Sequence, residues 1–196
     1  MRFILVRHGE SEMNVLRRFC GHTDAPLTEK GHEQAEFTAE KLKVEHVDRI
    51  VASDLSRAFE TALKIATHHE APVESSEAFR EMDFGEWEGL TYDEILSGFP
   101  EKSKEWVDDY FKTPCPGGES LITFYDRITQ AFQALKKETK KGESVLLAAH
   151  AGVIQAILSK ELMDDVKGYW RFKINNCGVA FLDYETEFAV LTRLDS

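Results

Sequence analysis

The chain has 196 residues, of which 24 are Lys or Arg and 35 are Asp or Glu, so its formal net charge is −11 at pH 7. This length predicts one domain, since domains commonly hold about 100–200 residues, and we expect residues 1–196 to form it. The acidity argues against nucleic acid and against an anionic membrane as partners, because both require a basic protein face.

The three cysteines, Cys20, Cys115 and Cys177, are odd in number and widely spaced. This usage favours reduced thiols over a disulfide framework, and no pair has the CxxC spacing of a zinc or redox site. The first ten residues lack the features of a signal peptide, and no apolar run approaches the ~20 residues that span a bilayer. We therefore expect a cytoplasmic protein.

Apolar runs that alternate with amphipathic segments predict strands and helices in succession. The strand candidates, in chain order, are 3–6, 49–52, 72–77, 145–149, 178–182 and 188–191. The last two lie on either side of residues 184–187 and predict an antiparallel hairpin. The first candidate is continuously apolar, which is typical of a strand buried on both faces.

The helix candidates are 28–43, 54–69, 119–140 and 153–162, with Thr28 and Asp54 as the N-caps of the first two. Strands that alternate with helices predict an α/β fold: a three-layer αβα sandwich around a mostly parallel sheet with an antiparallel C-terminal edge. Residues 90–118 interrupt this alternation, with Pro100 between two short helical patterns and a Pro- and Gly-rich close. We expect a small helical insertion there, whose aromatic residues either pack it down or line a substrate pocket.

Three predicted strands are followed by ionisable side chains. Arg7 and His8 follow the first strand candidate, Arg57 lies just after the second, and His150 follows the candidate 145–149. We expect these three strands to run parallel to one another. Because ligands bind at the carboxyl ends of such strands, we expect these side chains to converge. Guanidinium groups match phosphate oxygens, so the cluster predicts a phosphate site.

Two histidines beside two arginines also suggest catalysis. Neighbouring cations should keep imidazole neutral, so that a ring nitrogen of His8 can attack phosphorus while Arg7, Arg57 and the second histidine stabilise the equatorial oxygens. The departing alkoxide needs a proton, and Glu81, in the loop after the third strand candidate, is the best acid. Asn14 and the Cys20–Gly21 turn could add neutral donors, as could backbone N–H groups of a helix after Gly152.

Five motifs in order carry a family resemblance: RHGESEMN from Arg7, GHTDAPLTEKG from Gly21, SDLSRAFETA from Ser53, REMDFGEWEG from Arg80 and AAHAGV from Ala148. Together they resemble the histidine phosphatase superfamily, which has the phosphoglycerate-mutase-like fold. The resemblance implies a phosphorylated nucleophile at His8, a proton donor at Glu81 and no metal or organic cofactor. The substrate-binding candidates are Arg7, Asn14, Cys20, Gly21, Arg57, Glu81, His150 and Ala151.

The insertion bears on the choice between mutase and phosphatase. Phosphoglycerate mutases that resemble this chain carry a longer insertion with extra basic residues, whereas this one is short and acidic. We therefore expect a metal-independent phosphomonoester hydrolase rather than a mutase. PGGESLITFYDRI from Pro116 and YWRFKINNCGVAFLDY from Tyr169 look similar to α-ribazole-5′-phosphate phosphatases of cobalamin nucleotide-loop assembly.

Other functions stay open at this point. A broad-specificity or sugar-phosphate phosphatase is the main alternative for the substrate, with a phosphoglycerate mutase behind it. A non-catalytic module that binds phosphorylated ligands is disfavoured, because the nucleophile, the acid and the phosphate arginines are all present. His22, beside Gly21, could contact substrate, and the remaining four histidines outside the cluster are expected at the surface. The sequence assigns no oligomeric state.

Overall fold

The computed structural model describes residues 1–185 and 187–195. Six strands form one sheet in the order β3-β2-β4-β1-β5-β6. Their bounds are Arg2–Arg7 (β1), Arg49–Ser53 (β2), Val73–Ser76 (β3), Ser144–Ala149 (β4), Val179–Asp183 (β5) and Val190–Asp195 (β6). Strands β1 to β4 run parallel, and β5 and β6 add antiparallel pairs at one side. The predicted mixed sheet is confirmed.

The sheet is buried on both faces, as the apolar run of β1 predicts. Phe3 and Leu5 belong to one hydrophobic cluster, whereas Ile4 and Val6 belong to a second on the opposite face. This division follows the two-residue period of a strand. Because all four side chains are fully buried, β1 lies at the centre of a three-layer αβα sandwich.

Seven α-helices accompany the described strands. They span Glu12–Val15 (α1), Glu29–Leu42 (α2), Ser56–Ala66 (α3), Tyr92–Gly98 (α4), Pro100–Asp108 (α5), Leu121–Glu138 (α6) and Ala151–Met163 (α7). Helices α2 and α3 pack on the Ile4 face and helices α6 and α7 on the Phe3 face. Within the described residues, no helix is both long and apolar enough to cross a membrane.

Three predicted helix starts are wrong, and one of them is that of α6, which begins at Leu121 rather than at residue 119. Helix α3 begins at Ser56 with Leu55 as its N-cap, so Asp54 does not cap it. The carboxylate of Asp54 instead pairs with the guanidinium of Arg80, at 2.8 and 3.1 Å from Nε. Helix α7 begins at Ala151 rather than Val153, because His150 already has the extended backbone of an N-cap. The predicted cap of α2 is confirmed, since Thr28 Oγ1 accepts the Gly31 amide at 3.0 Å.

The segment predicted as an insertion contains two helices divided at Pro100. Pro100 occupies the first position of α5, where its missing N–H costs no helical hydrogen bond. The helices rest on Trp87, which is 1% exposed and has ring centroids 6.4 Å from Phe99 and 5.7 Å from Trp106. Aromatic packing therefore fixes α4 and α5 against the sandwich.

The C-terminal hairpin forms, but its second strand starts later than predicted. Val190 pairs with Asp183 as the first rung, whereas Phe188 and Ala189 precede the ladder. The apolar pattern of 188–191 misled because Phe188 is 78% exposed and contributes to the turn region rather than to the sheet. Thr186, in the predicted turn, lies outside the described residues.

Candidate active site

The carboxyl ends of three neighbouring strands, β1, β2 and β4, meet at one edge of the sheet. His8 follows β1 and His150 follows β4, and their ring centroids are 5.2 Å apart. Ser53, the last residue of β2, lies 2.9 Å from Nε2 of His150 through its hydroxyl. All three residues are buried, so strand order alone brings together the groups that the sequence separates.

His8 is held in one tautomer. Its Nδ1 lies 2.6 Å from the carbonyl oxygen of Gly9. Because a carbonyl only accepts, Nδ1 carries the proton and Nε2 keeps its lone pair. Burial, together with the charges of Arg57 and Arg7, lowers the pKa of His8 well below its usual value. The ring is therefore neutral near pH 7 and can act as a nucleophile through Nε2.

Two arginines surround the histidines. Arg57 is 1% exposed, and its guanidinium donates to the carbonyls of Thr23 at 2.9 Å and Gly21 at 2.8 Å. Arg7 donates through Nη1 to the carbonyl of Ile174 at 2.7 Å. No carboxylate forms an ion pair with either guanidinium among the described residues. Both positive charges therefore remain available to an anion.

Two buried nitrogen atoms at this site lack partners. Within the described part of the chain, Nε of Arg7 and Nδ1 of His150 make no hydrogen bond. Buried polar atoms are normally satisfied, so such atoms require an explanation. A phosphate oxygen is a suitable acceptor for the arginine N–H and for a protonated imidazole nitrogen.

Glu81 lies between this cluster and the start of α7. Its Oε1 accepts the Met82 amide and its Oε2 accepts the Gly152 amide, each at 3.0 Å. Burial raises the pKa of Glu81, and the two amides together with Arg57 and Arg7 only partly offset this effect. A carboxyl group with a raised pKa can carry a proton to a leaving group.

A cavity of about 410 Å³ adjoins Glu81. Asn14, Cys20, Glu81 and Ala151 all border it, so four of the predicted substrate-binding residues lie at its wall. The rest of the wall is largely aromatic, contributed by Phe19, Phe84, Trp106, Tyr110, Tyr169 and Trp170. The sequence left open whether the aromatic residues of the insertion pack it down or line a pocket. Trp106 and Tyr110 do both, since they border the cavity and contact other aromatic rings.

Comparison with known proteins agrees with this geometry. The model of the histidine phosphatase superfamily (branch 1) matches residues 3–196. The chain is 32% identical over 195 residues to phosphoserine phosphatase 1 of Hydrogenobacter thermophilus, covering 100% of this chain and 92% of the relative. It is 28% identical to the adenosylcobalamin/alpha-ribazole phosphatase of Escherichia coli, covering 100% of this chain and 96% of that protein.

The chain belongs to the histidine phosphatase superfamily. Its fold also matches the crystal structure of the alpha-ribazole phosphatase from Shigella flexneri, with a TM-score of 0.94 and 28% identity over 100% of this chain and 96% of the other. The predicted enzyme class is confirmed, because the family and these relatives indicate a phosphoric monoester hydrolase.

In this histidine phosphatase the Cys20–Gly21 turn differs from what the sequence suggested. Both oxygens of Glu88 lie 3.0 Å from the Gly21 amide, and they also accept the amides of His22 and Thr23 at 2.9 and 3.2 Å. The Gly21 amide is thus already occupied, while the carbonyl of Gly21 faces Arg57. The carbonyl of Gly21 therefore holds Arg57, and its amide is not a free donor.

Asn14 is positioned by its neighbours. Its Oδ1 accepts the Ser11 amide at 3.1 Å and Nδ2 of Asn176 at 3.0 Å. The same Asn176 amide group donates to the carbonyl of His8 at 3.2 Å. With Oδ1 occupied, the Asn14 amino group is left as the donor that a ligand can use.

Sequence reasoning missed Ser53, Glu88, Tyr169 and Asn176. All four lie inside the motifs given above, but nothing in their spacing shows which backbone group or cavity they face. His22 is half-buried, its Nδ1 lies 3.7 Å from Asp83, and it is absent from the cavity wall. In the part of the chain that the structure describes, no cluster of His, Cys, Asp and Glu side chains could hold a metal ion.

Proposed function

We propose that the chain hydrolyses phosphomonoesters through a phosphohistidine on His8. Nε2 of His8 attacks phosphorus, and the bond from phosphorus to the ester oxygen breaks. The carboxyl of Glu81 gives its proton to that oxygen, so the alcohol leaves neutral. Arg7, Arg57 and His150 donate to the equatorial oxygens and stabilise their charge in the transition state.

The second step regenerates the enzyme. A water molecule attacks the phosphorus of phosphohistidine while the Glu81 carboxylate accepts a proton from it. The P–N bond breaks, inorganic phosphate leaves, and the lone pair returns to Nε2 of His8. Asn14, at the cavity wall, would orient the phosphoryl group, and Cys20 and Ala151 would contact the alcohol. In this proposal residues 1–196 act as one catalytic domain.

One observation carries the proposal: a neutral imidazole and a carboxyl of raised pKa both lie near Arg7 and Arg57, which form no ion pair among the described residues. A module that only binds phosphate needs the arginines but not this pair of protonation states. Burial favours the neutral form of both groups, which is the form that each role requires.

For the substrate we propose α-ribazole 5′-phosphate, as in cobalamin nucleotide-loop assembly. The cavity beside Glu81 is walled by six flat aromatic side chains, together with polar side chains such as Asn14 and Gln155. A benzimidazole ring would stack on such walls, and its ribose 5′-oxygen would then face Glu81. The similarity to α-ribazole phosphatases supports this choice.

A second candidate is a broader phosphatase that also accepts acidic carriers such as phosphoserine. Arg17 borders the cavity, is exposed, and makes no side-chain hydrogen bond or ion pair among the described residues. Its guanidinium could receive a carboxylate on the leaving group. The similarity to a phosphoserine phosphatase fits this candidate.

A panel of phosphomonoesters compared by kcat/KM separates the two candidates. α-Ribazole 5′-phosphate should exceed phosphoserine, 3-phosphoglycerate and sugar phosphates by at least about 100-fold if it is the substrate, a difference of about 2.7 kcal/mol in transition-state binding. Comparable values across the panel, with phosphoserine lowered selectively in Arg17→Gln, would favour the broader phosphatase. Activity should persist in EDTA and vanish in His8→Ala.

The role of Glu81 has its own test. Glu81→Gln should lower kcat/KM by about 10²- to 10⁴-fold for alkyl phosphates, whose leaving groups need a proton, and far less for p-nitrophenyl phosphate. Glu77→Gln, an exposed neighbour in the same loop, is the matched control and should change neither rate. Equal losses on both substrates would remove Glu81 from the acid role.

A further inference from the structure

The loop that carries Glu81 is held from behind by a side chain of helix α6. The guanidinium of Arg127 donates through Nη1 to the carbonyls of Ala78 and Arg80, each at 3.1 Å, and through Nη2 to the carbonyl of Glu81 at 3.1 Å. Three carbonyls within four residues therefore converge on one side chain. The last of them belongs to the proposed acid itself.

Glu119 completes this arrangement. Its two oxygens accept Nε and Nη2 of Arg127, each at 2.8 Å, in a side-on pair. All five N–H groups of a guanidinium can thus be used, by three carbonyls and one carboxylate. Burial works to raise the pKa of Glu119, but the hydrogen bonds from Arg127 and from the Asp83 amide lower it overall, so the pair stays charged.

The same Glu119 reaches the far side of the acid. Its Oε2 accepts the Asp83 amide at 2.9 Å, and its own amide donates to the carbonyl of Asp83 at 2.8 Å. The backbone on both sides of Glu81 is therefore tied to one ion pair. Neither Arg127 nor Glu119 borders the cavity, so they act on substrate only through the loop.

We propose that Arg127, together with Glu119, is a positioning residue that sets the Glu81 carboxyl for proton transfer to the leaving group. This inference rests on the acid role proposed for Glu81. The carboxyl is aimed by two amides, those of Met82 and Gly152, and one belongs to the loop while the other belongs to α7. The bond to the Gly152 amide joins the loop to α7, so the two bonds form together only at one position of the loop relative to α7.

The shape of the guanidinium matters more than its charge. A lysine at 127 keeps the positive charge but has one nitrogen, which cannot reach three carbonyls and both oxygens of Glu119 together. Loss of these hydrogen bonds would let the loop that carries Glu81 shift. A displacement of about 1 Å at a catalytic group can lower the rate about 100-fold. The loss should appear only where proton donation limits the reaction.

Arg127→Lys tests this with leaving groups of graded basicity. We expect kcat/KM for alkyl phosphates to fall by about 10- to 100-fold, while p-nitrophenyl phosphate changes by less than about threefold. Glu119→Gln should also lower kcat/KM for alkyl phosphates more than for p-nitrophenyl phosphate. The loss should be smaller than in Arg127→Lys, because glutamine keeps an acceptor for the Asp83 amide. This second variant tests the pair if Arg127→Lys does not fold.

Arg49→Lys is the matched control. Arg49 makes a similar side-on pair with Glu74, at 3.1 and 2.9 Å, and its side chain is 27% exposed against 28% for Arg127. It lies at the opposite end of β2 from the site. This variant should leave the ratio of the two rates unchanged.

A double variant separates the possible outcomes. In the Glu81→Gln background, Arg127→Lys should cost no further activity on alkyl phosphates, because the group it positions is gone. A further loss there, or equal losses on both substrates in the single variant, would overturn the proposal. If Glu81→Gln alone shows no dependence on the leaving group, the acid role fails first, and that result is visible without any change at Arg127.

Discussion

At the scale of single residues, burial acts on His8 and Glu81 in opposite directions. It lowers the pKa of the imidazole and raises the pKa of the carboxyl, because in each case the charged form loses its hydration. The arginines reinforce the first effect and oppose the second. Burial therefore favours an imidazole without a proton and a carboxyl that keeps its proton to a higher pH than a free carboxyl does.

Gly152 leaves space for the carboxyl of Glu81. A Cβ at this position would lie 2.3 Å from Oε1 of Glu81 and 2.5 Å from the hydroxyl of Tyr169. Gly152→Ala should therefore displace the acid and lower kcat/KM for alkyl phosphates by about 100-fold. Gly98→Ala, where a Cβ meets nothing within 4 Å, is the control in steady-state assays. Full activity of Gly152→Ala would contradict the placement of Glu81.

Glu88 supports Arg57, a proposed phosphate ligand, through the turn of residues 21–23. The three amides of that turn point to its carboxylate, and carbonyls of the same turn hold Arg57. Glu88→Gln replaces one acceptor oxygen by a donor that faces N–H groups. We expect KM and the Ki of inorganic phosphate to rise about tenfold or more, since an unsatisfied buried group costs about 1–3 kcal/mol. Glu86→Gln, an exposed neighbour, should leave both values unchanged, and an equal rise there would argue against the turn.

At the scale of elements, helix α5 carries cavity wall on one face and solvent on the other. Trp106 borders the cavity, whereas the adjacent Val107 is 50% exposed. Trp106→Ala should raise KM for phosphates of aromatic carriers about tenfold, the loss of one stacking surface. In Trp106→Ala, KM for phosphoserine should change little. In the control variant Val107→Ala, KM for the aromatic substrates should also change little. A uniform loss on every substrate would indicate that the tryptophan only supports the insertion.

Elements with a clear apolar pattern or a clear capping residue are predictable from the sequence. The continuous apolar runs of β1 and β4 predict buried strands, and the position of Thr28 just before an amphipathic segment predicts its role as an N-cap. Asp54 was misread because a capping residue and an ion-pair partner look alike until the position of Arg80 is known. Phe188 was misread because an apolar run shows no boundary between strand and turn.

The same distinction holds within the candidate site. His8, Arg57 and His150 follow strands, so topology alone predicts that they meet. Glu88, Arg127 and Glu119 act on carbonyls and amides of loops that are remote in sequence, and no residue pattern reports the path of a loop. Sequence therefore predicts the reacting groups better than it predicts what holds them.

At the scale of the whole molecule, the protonation of the site is coupled to stability. Because the folded-state pKa of His150 lies well below its usual value, its contribution to stability is present above about pH 6.5 and is lost as the pH falls towards the folded-state value. Between pH 7.5 and 5.5 the free energy of unfolding should fall about 1.4 kcal/mol less in His150→Asn than in the unchanged protein. Urea titrations at the two pH values measure this difference, and equal falls would show that His150 titrates normally.

The net charge of −11 sets the electrostatic surroundings of the proposed phosphate site. Arg7 and Arg57 form a small positive region in a molecule whose overall field repels anions. At physiological ionic strength charges are screened over about 8 Å, so a substrate meets the attraction only close to the cavity. Recognition by contact with the aromatic wall then matters more than long-range attraction.

The position of β1 in the sheet has a consequence for how the molecule opens. β1 is paired along both sides, with β4 and β5, so the amides next to His8 become accessible to exchange only when much of the sheet separates. Part of the cavity wall, Trp106 of α5 and Tyr169 and Trp170 of the short 3-10 segment Val166–Arg171, lies outside the ladder. This part of the wall can therefore open locally without separation of the strands that precede His8 and His150.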